Sequence, residues 1–243
     1  MTTLLLNEKI EDLLCGGLKI IQSKTLYRFT SDAVILANCL GAVAQKVACE
    51  VGTGSGVISI LATKKFSPKK IVAVEVQPSL SDMCLRSVKM NGLDDVIDVV
   101  CQDVVQFAER CPNTFDVVFC NPPYRKVGAP QKEQSMQICK EEILLTLPNL
   151  AQAVNLLLKD KGSYVGCYPW ERLDEFIATF KAVGLGVTKV LPICATQSKP
   201  TRLAIVWATK GSNLPVEFLP CLVEREGGKE SAQMKKLIET QQL

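Results

Sequence analysis

The stretch "KVACEVGTGSGVISILATKKF" (residues 46–66) passes from an apolar run through a glycine-rich turn to apolar residues at helical spacing. That order predicts a strand, a tight turn and a helix. The same alternation continues downstream. "KIVAVEV" (70–76) predicts a second strand, and Pro78 sits in the first turn of a helix over "PSLSDMCLRSVKMNG", closed by Gly92. "VIDVVCQD" (96–103) and "FDVVFCN" (115–121) predict the third and fourth strands. A helix over "EEILLTLPNLAQAVNLLLKDKG", broken or kinked near Pro148, follows, then the strand "SYVGCYP" and the helix "WERLDEFIATFKAVG". "LGVTKVLPI" and "RLAIVWATKG" predict two further β runs, "PVEFLPCLVER" a peripheral strand, and "GGKESAQMKKLIETQQL" a frayed tail. Strands alternating with helices imply an α/β fold, with a mostly parallel sheet covered on both faces that binds ligands at the carboxyl ends of its strands.

Composition narrows the chemistry. With 243 residues, 47% of them apolar, the chain can bury a sizeable core. It contains no histidine, which excludes any mechanism built on an imidazole base or ligand. The eleven cysteines include no CxxC pair, and Cys49, Cys101, Cys120 and Cys167 lie among strand-like apolar residues. They read as reduced, buried thiols of a cytosolic protein, with neither a metal site nor a disulfide frame. The N-terminal "MTTLLLNEKIEDLLCGG" lacks the pattern of a signal peptide, and no run approaches the length of a membrane span. Net charge is +3, with sixteen basic against twelve acidic residues from Asn121 onward. That tilt suits a polyanion or an ordinary solvated surface.

Four strand tips carry the candidate site. The first reads Glu50-Val51-Gly52-Thr53-Gly54-Ser55-Gly56, whose glycines let the backbone turn sharply beside a ligand. The spacing departs from GxGxxG, and an acid at the tip suits a cationic amine better than a pyrophosphate, favouring S-adenosylmethionine over a nicotinamide dinucleotide. Glu75-Val76, about twenty residues on, places a carboxylate where ribose hydroxyls would lie. Asp103 is placed to accept from an adenine amine, with Val104 beside the ring. The fourth tip is Asn121-Pro122-Pro123-Tyr124. The Asn121 amide oxygen and the Pro122 carbonyl can accept both hydrogens of a planar exocyclic amine or amide, the prolines fix their direction, and Tyr124 stacks on the ring. The nitrogen lone pair is left free towards a methyl donor, and no strong base is required.

At these residues the chain resembles the class I S-adenosylmethionine-dependent amino-methyltransferases, whose fourth motif is Asn/Asp-Pro-Pro-aromatic and whose members methylate adenine or guanine amines of nucleic acids, or a glutamine amide of release factors. The segment "GLKIIQSKTLYRFTSDAVILANCL" (17–40) is similar to the corresponding stretch of the bacterial tRNA1(Val) adenine-37 N6-methyltransferase family. Similarity continues through "EVGTGSGVISILA", "VEVQPSLSDMCLRSVKMNGL" and "FDVVFCNPPYRKVG", and more thinly through "RLAIVWATKG". The resemblance implies a Rossmann-like class I methyltransferase fold with a seven-stranded sheet and a closing antiparallel strand. It also implies tRNA, through its anticodon loop, as partner, a cytoplasmic location, and Asp32 and Phe29 beside the cofactor pocket. Thr30, Ser31 and Asp32 read equally as the cap of the helix "AVILANCL". Arg125, Lys126, Lys132 and Lys140 follow the catalytic turn, where they can hold RNA phosphates or simply face solvent.

Two departures fall in substrate-facing parts. Relatives carry A-R-H-E where this chain has Cys139-Lys140-Glu141-Glu142, and an H-R-P turn where it has Cys167-Tyr168-Pro169-Trp170. The expected organisation is one domain, with an N-terminal cap segment (1–45), the Rossmann-like core (46–210) and a peripheral strand and tail (211–243), acting as a monomer. Release-factor or ribosomal RNA methylation remains open as a rival. A non-catalytic RNA-binding protein would be marked by loss of a cofactor acid or of the NPPY turn, and neither is lost. A dehydrogenase would need a different glycine spacing and a hydride-transfer constellation.

Overall fold

The computed structural model describes residues 3–26, 28–122 and 145–241. In chain order the elements are β1 (Glu8–Asp12), β2 (Lys19–Ser23), α1 (Ser31–Asn38), β3 (Val47–Val51), α2 (Val57–Phe66), β4 (Lys70–Glu75), α3 (Pro78–Met90), β5 (Ile97–Cys101), α4 (Val104–Arg110) and β6 (Phe115–Cys120). After the undescribed residues come α5 (Leu147–Leu157), β7 (Leu158–Pro169), α6 (Leu173–Ala182), β8 (Leu185–Cys194) and β9 (Thr201–Lys210). The short strands β10 (Glu217–Phe218), β11 (Leu222–Val223), β12 (Arg225–Glu226) and β13 (Lys229–Glu230) precede the last helix, α7 (Ala232–Thr240).

The central sheet runs β10-β8-β9-β7-β6-β3-β4-β5, with β11 also pairing β8. Only β9 is antiparallel to its neighbours. Among the described residues nine strands therefore stand where seven were expected: β10 and β11 are two-residue additions alongside β8, from the segment "PVEFLPCLVER". Side chains alternate between the faces, as the pleat requires. Val117 and Phe119 of β6 join one core layer with Ile35, Leu36 and Ile60 of the helices α1 and α2. Val118 and Cys120 join the other, with Leu150, Val154, Phe176 and Phe180 of α5 and α6. Each such aliphatic or aromatic side chain removed from water contributes about 1.5–3 kcal/mol, so the strands are held by both layers at once.

Several local expectations are corrected. Helix α5 starts at Leu147 with Pro148 in its first turn and the Thr146 side chain accepting from the Asn149 amide, so the expected break near Pro148 is the start of this helix. The helix ends at Leu157, and 158–162 begin β7; residues 141–144 lie outside the described part. Thr30 stands at the N-cap of α1 without a side-chain capping bond. Cys101, expected to be buried, is exposed because β5 is the edge strand of the sheet; Cys49, Cys120 and Cys167 are buried. The tail is not frayed. Ser231 caps α7 through the Met234 amide at 3.0 Å, and Met234 and Leu237 enter the core. Among the described residues no helix is long and apolar enough to cross a membrane.

Candidate functional site

Strand register places the candidate residues at one level. Val51 pairs with both Val74 and Cys120, and Glu75 pairs with Cys101. Gly52, Glu75, Asp103 and Asn121 therefore stand within about two residues of the same edge of β3, β4, β5 and β6. The glycine turn after β3 is folded by its own backbone, with the amides of Gly52 and Thr53 donating to the Val74 carbonyl at 2.9 and 3.0 Å. Gly56, at φ +93°, has no room for a side chain, since a Cβ would lie 2.6 Å from the Cys84 sulfur. Gly52 and Gly54 also have positive φ, but nothing lies within 4 Å of where their Cβ atoms would be. The turn is thus bare on the side that faces away from the core.

Glu50 closes this turn from below. It is fully buried, and one carboxylate oxygen, Oε2, accepts from the Thr53 hydroxyl at 2.7 Å and from the amide and hydroxyl of Ser59. The other oxygen, Oε1, is buried with no partner. Burial outweighs the hydrogen bonds and pushes its carboxyl up to about 7. A folded-state value above the unfolded one means that the folded chain holds the proton more tightly. Stability from this group is therefore present below about pH 4.5 and is lost as pH rises through about 7. Measured without cofactor, wild type should lose up to about 3 kcal/mol relative to Glu50→Gln between pH 4.5 and 8 in denaturant titrations. A pH-independent difference would contradict an ionisable, buried Glu50.

Glu75 is buried at the end of β4, with Oε2 accepting from the Gly54 amide and Oε1 from the Gln77 amide, each at 2.9 Å. It therefore fixes the glycine turn to the end of β4. Burial raises its carboxyl despite these amides. A narrow cleft of about 40 Å³ runs from Val51, Gly52 and Val74 past Val76 to Gln102, Asp103 and Val104. Asp103 does more than the sequence suggested: its Oδ1 caps α4 by accepting from the amides of Val105 and Gln106 at 2.9 and 3.2 Å. Beside it the Gln102 Nε2 is buried without a partner.

Asn121 follows directly on β6, and its Oδ1 is likewise buried with no hydrogen-bond partner. An unpaired buried amide oxygen costs about 1–3 kcal/mol, so its place at the ligand-binding edge points to a partner from outside the chain. Pro122 is buried next to it. Pro123, Tyr124, Arg125, Lys126, Lys132 and Lys140 fall outside the described residues.

The N-terminal pair of candidates has a different placement. Asp32, buried in the first turn of α1, accepts from Arg202 of β9 at 2.6 Å. Arg202 also binds both oxygens of Glu224, at 2.8 and 3.1 Å, and Ser31 donates to Glu224 at 3.2 Å. Asp32 thus ties the N-terminal segment to the sheet and the tail. Arg202→Met should lower stability by about 2 kcal/mol in urea titrations, because two carboxylates lose their charged donor. Phe29 is partly buried against the core, and its amide donates to Gln22 Oε1 at 3.3 Å while Gln22 Nε2 donates to Ser55 at 2.5 Å. Gln22 therefore couples Phe29 to the glycine turn. Gln22, Ser59 and Gln102 were missed by the sequence reading; a lone serine inside the apolar "VISILA" was the only trace of the second.

Residues 28–145 match the family described as methyltransferase small domain. A tRNA1(Val) (adenine(37)-N6)-methyltransferase from Shewanella frigidimarina is 26% identical over 73% of this chain and 72% of its own length. One from Proteus mirabilis is 21% identical over 90% of this chain and 88% of its own. Among solved structures, a predicted O-methyltransferase from Agrobacterium tumefaciens superposes with a TM-score of 0.69 at 17% identity, covering 85% of this chain and 95% of that one, a likeness of fold.

Proposed function

We propose that this class I, S-adenosylmethionine-dependent methyltransferase methylates the exocyclic N6 amine of adenine in tRNA, at adenine 37 of the anticodon loop of tRNA1(Val). The observation that carries the chemistry is the buried, unpartnered Asn121 Oδ1 at the same sheet edge as Glu50, the bare glycine turn and Glu75. The substrate rests on the relatives, which bear that activity in their names.

The residues present fit the cofactor. Gly52 and Gly54 leave open space where a nucleoside would pass, and the Glu75 carboxylate stands beside it as an acceptor for ribose hydroxyls. The cleft beside Val76, Gln102, Asp103 and Val104 sets apolar and polar groups side by side, as contact with the rim of an adenine requires, and the free Oε1 of Glu50 suits a cationic amine. S-adenosylmethionine, when bound, supplies an electrophilic methyl group. Asn121 Oδ1 and the Pro122 carbonyl accept the two hydrogens of the target amine and aim its lone pair, and Tyr124 stacks on the base. Positioning of this kind needs no strong base, consistent with a chain that has no histidine. Extruding an anticodon-loop base costs about a few kcal/mol or less. Arg125, Lys126 and Lys140 hold backbone phosphates, Phe29 borders the base, and Asp32 supports the cofactor side through Arg202. The protein acts in the cytoplasm as a monomer.

The test is the distribution of labelled methyl among tRNA, ribosomal RNA and protein when the enzyme and labelled S-adenosylmethionine are added to an extract of cells lacking the activity. The expected label is in tRNA and is lost on ribonuclease treatment. Label in a release factor, resistant to ribonuclease, or in ribosomal RNA would overturn the substrate and leave the cofactor site standing.

A further inference from the structure

At the carboxyl end of β8, the sulfurs of Cys194 and Cys221 lie 3.3 Å apart. Cys194 ends β8 and is 5% exposed, whereas Cys221 is partly exposed. The two are held face to face by the sheet itself, because Leu222 and Val223 pair with Ile193 and Cys194, and the Glu224 amide donates to the Cys194 carbonyl at 3.0 Å. Cys221 also forms part of the wall of a largely apolar cavity of about 310 Å³, with Leu191, Leu219, Pro220 and Leu237, and Lys236 lies at the same cavity. A small reagent can therefore reach one sulfur of the pair, while the other waits behind it.

We propose that Cys221 and Cys194 are a redox-modification site in which a low-molecular-weight disulfide enters the cavity, is attacked by Cys221, and is displaced by Cys194 to leave a Cys194–Cys221 bond. In the first step the Cys221 thiol gives its proton to solvent, its sulfur bonds to one sulfur of the reagent, and the reagent's S–S bond breaks to release one thiol. In the second the Cys194 thiol gives up its proton, its sulfur bonds to Cys221, and the second reagent thiol leaves. Two protein thiols are oxidised and one disulfide is reduced to two thiols, so atoms and electrons balance. The bond fastens the strand pair that carries Glu224, and through Arg202 it reaches the Asp32 end of α1.

The experiment treats the full chain with oxidised glutathione, then maps peptides by mass spectrometry without reduction. The expected product is a peptide pair linked through Cys194 and Cys221, lighter by about 2 Da than the two free peptides and restored by dithiothreitol. Cys194→Ser should trap glutathione on Cys221, and Cys221→Ser should leave Cys194 unmodified. The exposed Cys101 serves as the internal standard for simple mixed-disulfide formation. Glutathione accumulating on Cys221 of the wild type without the linked pair would overturn the proposal. So would a Cys221 that stays free while Cys101 is fully modified, or a Cys194 that is modified in Cys221→Ser.

Discussion

If Asn121 holds the target amine as proposed, Asn121→Ala is expected to lower the turnover number for methyl transfer by at least about a hundredfold, while the dissociation constant for S-adenosylmethionine should change by less than about threefold. The magnitude follows from removing one preorganised hydrogen-bond partner at the reacting atom, which costs about 10²–10³ in rate. The separation of the two effects follows from position. Asn121 stands beyond β6, whereas the glycine turn and Glu75 stand beyond β3 and β4, and its Oδ1 is engaged with no other group of the chain. Alanine would therefore remove the proposed acceptor for the amine without disturbing a hydrogen bond of the glycine turn or Glu75. Single-turnover kinetics with saturating cofactor, together with calorimetric binding, separate the two quantities. Near-normal turnover in Asn121→Ala would mean that the amine is held elsewhere.

Glu75→Ala is expected to have the opposite signature under the proposed site, weakening S-adenosylmethionine by about 30- to 1000-fold. In the proposed site two ribose hydroxyls would lose a charged acceptor, at about 1.5–3 kcal/mol for each such bond, partly offset by water entering the vacated space. The Gly54 and Gln77 amides also lose their common partner, so the glycine turn loses the group that holds it to β4. At saturating cofactor the turnover number should stay within about tenfold of wild type, because the acceptor pair at Asn121 and Pro122 is untouched. Unchanged cofactor affinity in Glu75→Ala would remove this residue from the cofactor site.

The α/β architecture was legible because each core strand is a compact apolar run that ends in a chemically marked residue. β3 ends beside Glu50 and Gly52, β4 at Glu75, and β6 at Asn121. The register then brings these tips level, which no single segment could reveal. Other features needed the tertiary structure. The helix α7 carries Met234, Leu237 and Ile238 at helical spacing behind the capping Ser231, a short amphipathic signal that the flanking charged and polar residues obscure and that packing on the core makes plain. β1 and β2 pair with each other apart from the main sheet, and β1 is too polar to announce itself as a strand. Asp103 carries a second duty as the cap of α4, because helix and strand tip meet at that residue. Asp32 was read with the cofactor, and the partner of its buried carboxylate, Arg202, lies 170 residues away in the chain. The contact becomes visible only when β9 inserts between β7 and β8.

The central claim is that the Asn121 turn presents an adenine N6 amine to S-adenosylmethionine, and its most direct test is the identity of the product nucleoside. A synthetic tRNA1(Val) anticodon stem-loop is incubated with the enzyme and cofactor, digested to nucleosides and measured by mass spectrometry, beside the same stem-loop carrying purine riboside in place of adenosine 37. The account predicts N6-methyladenosine from the first and no methylated nucleoside from the second. Methyl on a ring nitrogen or a ribose, or transfer that persists with purine riboside, would contradict it.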